Sequence, residues 1–442
     1  MTAEAGREPH ARAYIAAPVR KLGGRLRVPG DKSISHRALM LAGIARGRSR
    51  ITGFLDSEDC LATLGALRAL GVAIERPAAT TVIVEGAGAD GLEAPGRDLD
   101  MGNAGTAMRL FLGLLAGQRF TSRLVGDASL SRRPMERVAA PLRSMGARID
   151  TTDGRPPVTV HGGMRLHGIR YQLPVASAQV KSALLLAGLY AQGATELVEP
   201  APTRDHTERM LQGFGVAVER GPRTVRLAGP AQLAACDVAV PADFSSAAFF
   251  IVAGCLAREG TLRIDEVGMN PTRTGLLEIL RSMGARIEIL NERGGAEPVA
   301  DLVVHPSDLH GVEVPPEQVP LAIDEFPVLF VAAACARGTT LVTGAGELRV
   351  KETDRIAVMA DGLRALGVEV EALPDGMRIE GGRLSGGAVD SGGDHRIAMA
   401  FAVASLRAAG PIHIRDTANV STSFPGFAAL ARAAGLELEE LG

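Results

Sequence analysis

The chain has 442 residues, 46 % hydrophobic and 22 % charged, which fits two or three domains and excludes general disorder. A formal net charge of −2 excludes a broad footprint for nucleic acid or membrane, so an anionic ligand must be met by locally clustered Lys and Arg. No apolar run is long enough to span a bilayer.

Along the chain, the first dozen residues carry Glu4 and Glu8 without an apolar core. They resemble neither a signal nor a transit peptide and read as a frayed tail. AYIAAPV and GRLRVPG follow as strand-like stretches. From there one pattern recurs: an apolar helix, a strand, a second helix ending in Gly, and two short strands. The closing signatures are LRALGVAIE, LRSMGARID, LQGFGVAVE, LRSMGARIE, LRALGVEVE and ARAAGLELE. Their glycines, Gly71, Gly146, Gly215, Gly284, Gly367 and Gly435, lie 75, 69, 69, 83 and 68 residues apart. In the third copy, SAQVKSALLLAGLYAQG is the first helix, ATELVEP the strand, RDHTERMLQGFG the second helix, and VAVER and TVRLAG the closing strands. Each glycine suits a left-handed C′ cap.

The sixth copy stops after one closing strand, at Leu438-Glu439-Glu440. The N-terminal segment is therefore expected to return and complete it. This predicts two three-unit domains, residues 23–241 and residues 1–22 with 242–442, with crossings near Leu22–Pro29 and near Pro241. First helices such as FPVLFVAAACA are apolar around their circumference and should be buried on all sides, placing helices inside and sheets outside. A solenoid would stack such units equally well, but would not need the terminus to return.

Each first helix opens with a polar cluster: Asp31-Lys32-Ser33, Asn103-Ala104-Gly105-Thr106, Ser177-Ala178-Gln179, Asp243-Phe244-Ser245-Ser246, Asp324-Glu325 and Asp394-His395-Arg396. Singly, each is explained as an N-cap. In equivalent units, six of them aim free N–H groups and positive dipole ends at the gap between domains, where phosphates and carboxylates bind. Arg133, Arg204, Arg273 and Arg355 stand 13, 11, 11 and 12 residues before their copy's glycine, predicting in four of the six units an Arg on the first turn of the second helix. A solvated face explains one such Arg; the shared register points to anion binding by planar guanidinium forks. The expected ligand is polyanionic, held in a two-domain clamp that closes on it.

PGDKSISHR (Pro29–Arg37), GNAGTAMR (Gly102–Arg109), SAQVKSALLLAGL (Ser177–Leu189), RVKETDR (Arg349–Arg355) and DHRIAM (Asp394–Met399) resemble, in order and over nearly the whole chain, the signatures of the EPSP synthase family. RVKETDR with GDKSISHR is the specific combination, whereas NAGTAMR alone marks the wider enolpyruvyl transferase group. The resemblance implies a two-domain inside-out α/β barrel of six βαβαββ units. It also implies transfer of the enolpyruvyl group of phosphoenolpyruvate to the 5-hydroxyl of shikimate 3-phosphate, in aromatic amino acid biosynthesis. By the same resemblance, Lys32, Arg133, Arg355 and Arg396 would hold phosphoenolpyruvate, with Gly105 and Gln179 at its edge. Lys32, Ser33, Arg37, Ser177, Gln179, Arg204, Asp324 and Lys351 would hold the shikimate ester, with Ala178 contributing backbone. Asp324 would be the base on the hydroxyl, Glu352 would handle the proton at the methylene, and Lys32 would assist. His395 fits either a catalytic or a helix-capping or packing role, and without the resemblance a plain helix cap is the lesser alternative for Asp324-Glu325.

This chemistry needs two acid/base groups inside a cationic cage and calls for no metal or organic cofactor. The histidines show no metal-ligand spacing, and the cysteines Cys60, Cys236, Cys255 and Cys335 show no CxxC. The cysteines read as buried small hydrophobes of a reducing, cytoplasmic compartment. Leu110 stands where many relatives have Pro, and Thr422 where many have a phosphate-contacting Lys, as in the family's second sequence class. Gly105 keeps the small residue associated with binding glyphosate, so that analogue is an expected inhibitor. The family precedent is a monomer. The sister enzyme acting on a UDP-sugar carries a Cys where GDASLSRRP has Ala128, which argues against it. RNA 3′-phosphate cyclase should show a nucleotide-linking His and a basic surface. A non-enzymatic repeat scaffold leaves the charged unit starts unexplained.

Overall fold

The computed structural model describes residues 12–442; the expected frayed tail with Glu4 and Glu8 lies outside the described residues. Helices alternate between inner and outer positions. In chain order they are α1 (Lys32–Ile44), α2 (Glu58–Ala69), α3 (Gly105–Ala116), α4 (Glu136–Ser144), α5 (Ala178–Gly188), α6 (His206–Gly213), α7 (Phe244–Leu256), α8 (Gly275–Ser282), α9 (Phe326–Ala334), α10 (Arg355–Ala365), α11 (His395–Ala404), the short α12 (Val420–Ser423) and α13 (Phe427–Ala433). The inner helices are α1, α3 and α5 in one lobe and α7, α9 and α11 in the other. All residues of α7 and of α9 are buried, as their unbroken apolar sequences require. Each buried Phe or Leu there contributes about 1.5–3 kcal/mol.

Six sheets cover the helices, one per unit among the described residues. In the third unit the strand order is Arg170–Gln172, Gly193–Val198, Thr224–Gly229, Val218–Arg220. In the sixth it is Gly387–Asp390, Ile412–Arg415, Ala13–Ala17, Glu437–Leu441. The N-terminal strand thus replaces the missing closing strand, with Tyr14 opposite both Ile414 and Glu440. The glycines that end the six outer helices all have positive φ, from 82° to 103°. A side chain there would be strained, so the glycine both stops the helix and turns the chain into the next strand.

The apolar residues form two separate cores. One contains residues between Ile34 and Val240; the other joins Tyr14, Ala16, Leu22, Leu26 and Val28 to residues between Ala242 and Leu438. The first crossing therefore lies at Pro29–Gly30, at the end of the expected Leu22–Pro29 span, so residues 23–29 join the second lobe and not the first. The reason is a strand: Gly24–Leu26 pairs in parallel with Leu262–Ile264 and so belongs to the second lobe. The two crossing segments are bonded to each other. Asp31 N–H donates to the Pro241 carbonyl and Asp243 N–H to the Pro29 carbonyl, each at 2.9 Å. Gly30 is required here, because a Cβ would lie 1.9 Å from the Gly53 carbonyl oxygen.

Two expectations need correction. Of the four register arginines only Arg355 lies within its helix; Arg133, Arg204 and Arg273 precede α4, α6 and α8 in the entering loops. There the chain passes the cleft before turning outward, which frees the side chain to reach inward. Cys60 and Cys255 are buried, whereas Cys236 and Cys335 are partly exposed, and all four are unpaired.

Candidate active site

A cavity of about 820 Å³ separates the lobes, and all six inner helices present their N-terminal ends to it. Ten Lys and Arg side chains line it against six Asp and Glu, so the cavity carries a positive excess that anions must neutralise. The crowding is visible at Arg109: burial, with Arg137 and Arg133 nearby, pushes it down to about 9.

From the first lobe, Lys32 opens α1 and its Nζ donates to Asp59 Oδ2 at 3.1 Å and to Ser423 Oγ of the opposite lobe at 3.0 Å. Ser33, Gly105, Ser177, Ala178 and Gln179 line the wall. Ser177 caps α5 by accepting from Val180 N–H, and Gln179 accepts from Arg109 at 2.6 Å and donates to Thr106 at 3.0 Å. Arg133 pairs with Asn103 and, across the lobes, with Glu352 at 3.5 Å.

From the second lobe come Asp324, Lys351, Glu352, Arg355 and Arg396. Asp324 is ringed by cations: Arg204 of the first lobe, Lys351 at 3.2 Å and Arg355 at 3.4 Å, while Arg396 donates to its main-chain carbonyl at 3.1 Å. Burial opposes ionisation, but Arg204, Lys351, Arg396 and Arg355 overcome it and hold the Asp324 carboxyl well below the usual range. Glu352 behaves alike: burial opposes, and Arg355 and Arg133 lead the cations that keep it ionised. Burial pushes Lys351 down, against the pull of Asp324. His395 lines the cavity as a neutral imidazole, because burial and then Lys32 and Arg396 hold it well below its ordinary value.

The structure brings together every expected site residue except one. Arg37 is buried behind Ser33 and does not line the cavity. Its guanidinium donates to Thr207 Oγ1 at 2.7 Å, Ser182 Oγ at 2.8 Å and the Ser33 carbonyl at 2.9 Å. Thr422 lines the cavity and donates to the Asn419 carbonyl, whereas Leu110 is fully buried behind it. Sequence reasoning assigned no role to Asp59, Arg137, Glu347 or Ser423. Asp59 and Ser423 converge on Lys32 only through the fold, and Arg137 meets Glu347 across the lobes at 3.2 Å. Arg109, which also lines the cavity, closes the GNAGTAMR segment, and that position is its signal in the sequence. Among the described residues no group of three or more His, Cys, Asp or Glu is placed to hold a metal ion.

The enolpyruvyl transferase NikO from Streptomyces tendae has the same fold, with a TM-score of 0.79 at 21 % identity over 98 % of this chain and 99 % of that one. An EPSP synthase structure from Acinetobacter baumannii matches with a TM-score of 0.88 at 52 % identity, covering 98 % and 100 %. A 3-phosphoshikimate 1-carboxyvinyltransferase from Methylococcus capsulatus is 58 % identical over 428 residues, 96 % of this chain and 98 % of the relative. The fold and the cationic interlobe cavity place the molecule in the enolpyruvyl transferase class. Within that class the family model for EPSP synthase (3-phosphoshikimate 1-carboxyvinyltransferase) matches residues 16–430, and the chain belongs to that family.

Proposed function

We propose that this chain performs the family's reaction, transfer of the enolpyruvyl group of phosphoenolpyruvate to the 5-hydroxyl of shikimate 3-phosphate, with its cavity residues divided between two anions. The observation that carries the division is the pair of ionised carboxylates, Asp324 and Glu352, held on one cationic wall by Arg355. Lys32, Arg133, Arg355 and Arg396 take the phosphate and carboxylate of phosphoenolpyruvate, with Gly105 and Gln179 beside it. Ser33, Ser177, Ala178, Gln179, Arg204 and Lys351 take the shikimate ester, and Arg37 acts from behind Ser33.

In the first step a proton is added to the methylene carbon of phosphoenolpyruvate while the 5-hydroxyl oxygen bonds to its C2 and gives its own proton to Asp324. In the second the new methyl group returns a proton to Glu352, the double bond re-forms, the C–O bond to phosphate breaks, and the phosphate leaves with the proton that Asp324 had accepted. Glu352 carries the proton at carbon and Lys32 assists the departing phosphate oxygen. Both carboxylates are ionised in the cage alone; two arriving anions offset the surrounding Arg and Lys and raise the carboxyl pKa values toward the working range. A hydroxyl base and a carbon acid/base fixed by ion pairs supply position and electrostatics together.

Among the described residues no helix is long and apolar enough to cross a membrane. The unpaired cysteines support a reducing, cytoplasmic setting. The two lobes with their separate cores act as two domains closing on the substrates, in a monomer. Glyphosate, an anionic analogue small enough for the space Gly105 leaves, is an expected inhibitor.

The test is phosphate release from phosphoenolpyruvate with shikimate 3-phosphate or UDP-N-acetylglucosamine as acceptor. Release with the shikimate ester alone, abolished in Asp324→Ala and Glu352→Gln, is expected. Release with the UDP-sugar alone, or undiminished turnover in either variant, would overturn the reading.

A further inference from the structure

Beside the cavity, but outside its lining, a second polar network crosses between the lobes. From the first lobe come Asp205 and His206, the two residues after Arg204, at the start of α6. From the second come Asn270, in the loop before α8, and Glu297, in the turn between strands Arg286–Arg293 and Val299–His305. The Asn270 amide donates to Asp205 Oδ1 at 2.6 Å and to Glu297 Oε2 at 2.9 Å. His206 Nδ1 meets Glu297 Oε1 at 2.7 Å. The His206 and Glu297 side chains are only 2 % and 8 % exposed, and Asn270 is 2 % exposed.

Three features set this network apart from a surface contact. It is buried, so each bond is stronger and each lost partner costlier than at an exposed pair. It joins groups from both lobes, so it exists only when they are together. It also begins one residue from Arg204, whose guanidinium pairs with Asp324 of the other lobe. A relative rotation that separates Asp205 and His206 from Asn270 and Glu297 would carry Arg204 away from Asp324. Asp205 is tied to its own lobe by Arg209 Nε at 2.9 Å and by Arg220, so the clasp pulls on the lobe rather than on a loose loop.

We infer that Glu297 and Asn270 are positioning residues: they clasp the Asp205–His206 end of the first lobe and thereby set Arg204 against Asp324 in the closed enzyme. The inference rests on the reaction proposed above. Without the clasp the closed form is less populated, and the apparent affinity for the acceptor falls by that fraction. Once the acceptor saturates, Arg204 and Asp324 return to place and turnover recovers.

The experiment follows two readouts in full-length wild type, Glu297→Ala, Glu297→Gln and Asn270→Ala. One is steady-state phosphate release with each substrate varied separately. The other is the shikimate 3-phosphate concentration that half-compacts the protein in small-angle X-ray scattering. Glu297→Ala and Asn270→Ala should raise the KM for the shikimate ester about tenfold or more and shift the compaction midpoint equally, with kcat within about threefold. Glu297→Gln still accepts from Asn270 and should shift less than Glu297→Ala. The idea is overturned if wild type and Glu297→Ala compact at the same concentration, or if kcat falls while the acceptor KM is unchanged. It is equally overturned if all three variants lose folded structure by circular dichroism, which would make the network a stability element. A wild type that releases no phosphate instead refutes the underlying reaction, so the two failures are distinguishable.

Discussion

Arg355 and Asp394 form an ion pair sealed from solvent, with Nε donating to Oδ2 at 2.7 Å and the two side chains 1 % and 0 % exposed. Asp394 also caps α11 by accepting from Arg396 N–H at 2.8 Å. One carboxylate therefore orients two of the arginines assigned to phosphoenolpyruvate. Asp394→Ala should destabilise the fold by about 3–5 kcal/mol, because it breaks a fully buried ion pair and strands Arg355 Nε, with only Glu352 and Asp324 left on the other guanidinium nitrogens. It should also raise the KM for phosphoenolpyruvate about tenfold or more. Asp394→Asn, which keeps the cap, should lose less stability. Urea unfolding and steady-state kinetics check both; an unchanged phosphoenolpyruvate KM in Asp394→Ala would remove the buttress from the account.

Gly105 is held small by Arg133. A Cβ there would lie 3.0 Å from Arg133 Nη1 and 3.5 Å from both Arg109 Nη1 and the Leu130 side chain. Gly105→Ala should therefore displace the end of a guanidinium rather than the backbone. The expected result is a severalfold to about tenfold higher KM for phosphoenolpyruvate with little change for the shikimate ester, and weaker inhibition by glyphosate. Equal effects on both substrates would mean that the helix itself had moved.

Acid and neutral pH should act on different carboxyls. Asp324 and Glu352 have folded pKa values depressed below unfolded values near about 4. The unfolded chain binds more protons in that interval, so their stabilisation is complete above about pH 5 and drains as pH falls through the folded values. Asp243 at the hinge runs the other way: burial and then Asp31 push it up to about 6. Its ionisation costs stability as pH rises from about 4 through 6, so Asp243→Asn should be the more stable protein above pH 6, by at most about 3 kcal/mol. Asn can still accept the Ser245 N–H bond that caps α7. Urea midpoints from pH 3 to 8 decide this, and a variant that tracks wild type throughout rejects the raised carboxyl.

Much of this architecture was legible in the chain because it is written six times. Gly71 and its five counterparts mark helix ends by a local steric requirement, and α7 and α9 announce burial through unbroken apolar runs. The missing last strand was also readable, since Leu438-Glu439-Glu440 ended with one strand too few and Ala13–Ala17 was unassigned. The crossing was legible only as the span Leu22–Pro29, and residues 23–29 went to the wrong lobe because Gly24–Leu26 is too short to reveal its partner, which lies more than two hundred residues away.

Local steric and apolar patterns, repeated, determined the units, their helix ends and the cationic residues at their starts. Tertiary structure alone decided which charges meet: Lys32 with Asp59 and Ser423, Arg137 with Glu347, and Asn270 between Asp205 and Glu297. It also put Arg37 behind the wall rather than on it. The reason is that pairing energies depend on distance and burial, which no spacing along the chain encodes when the partners come from different lobes.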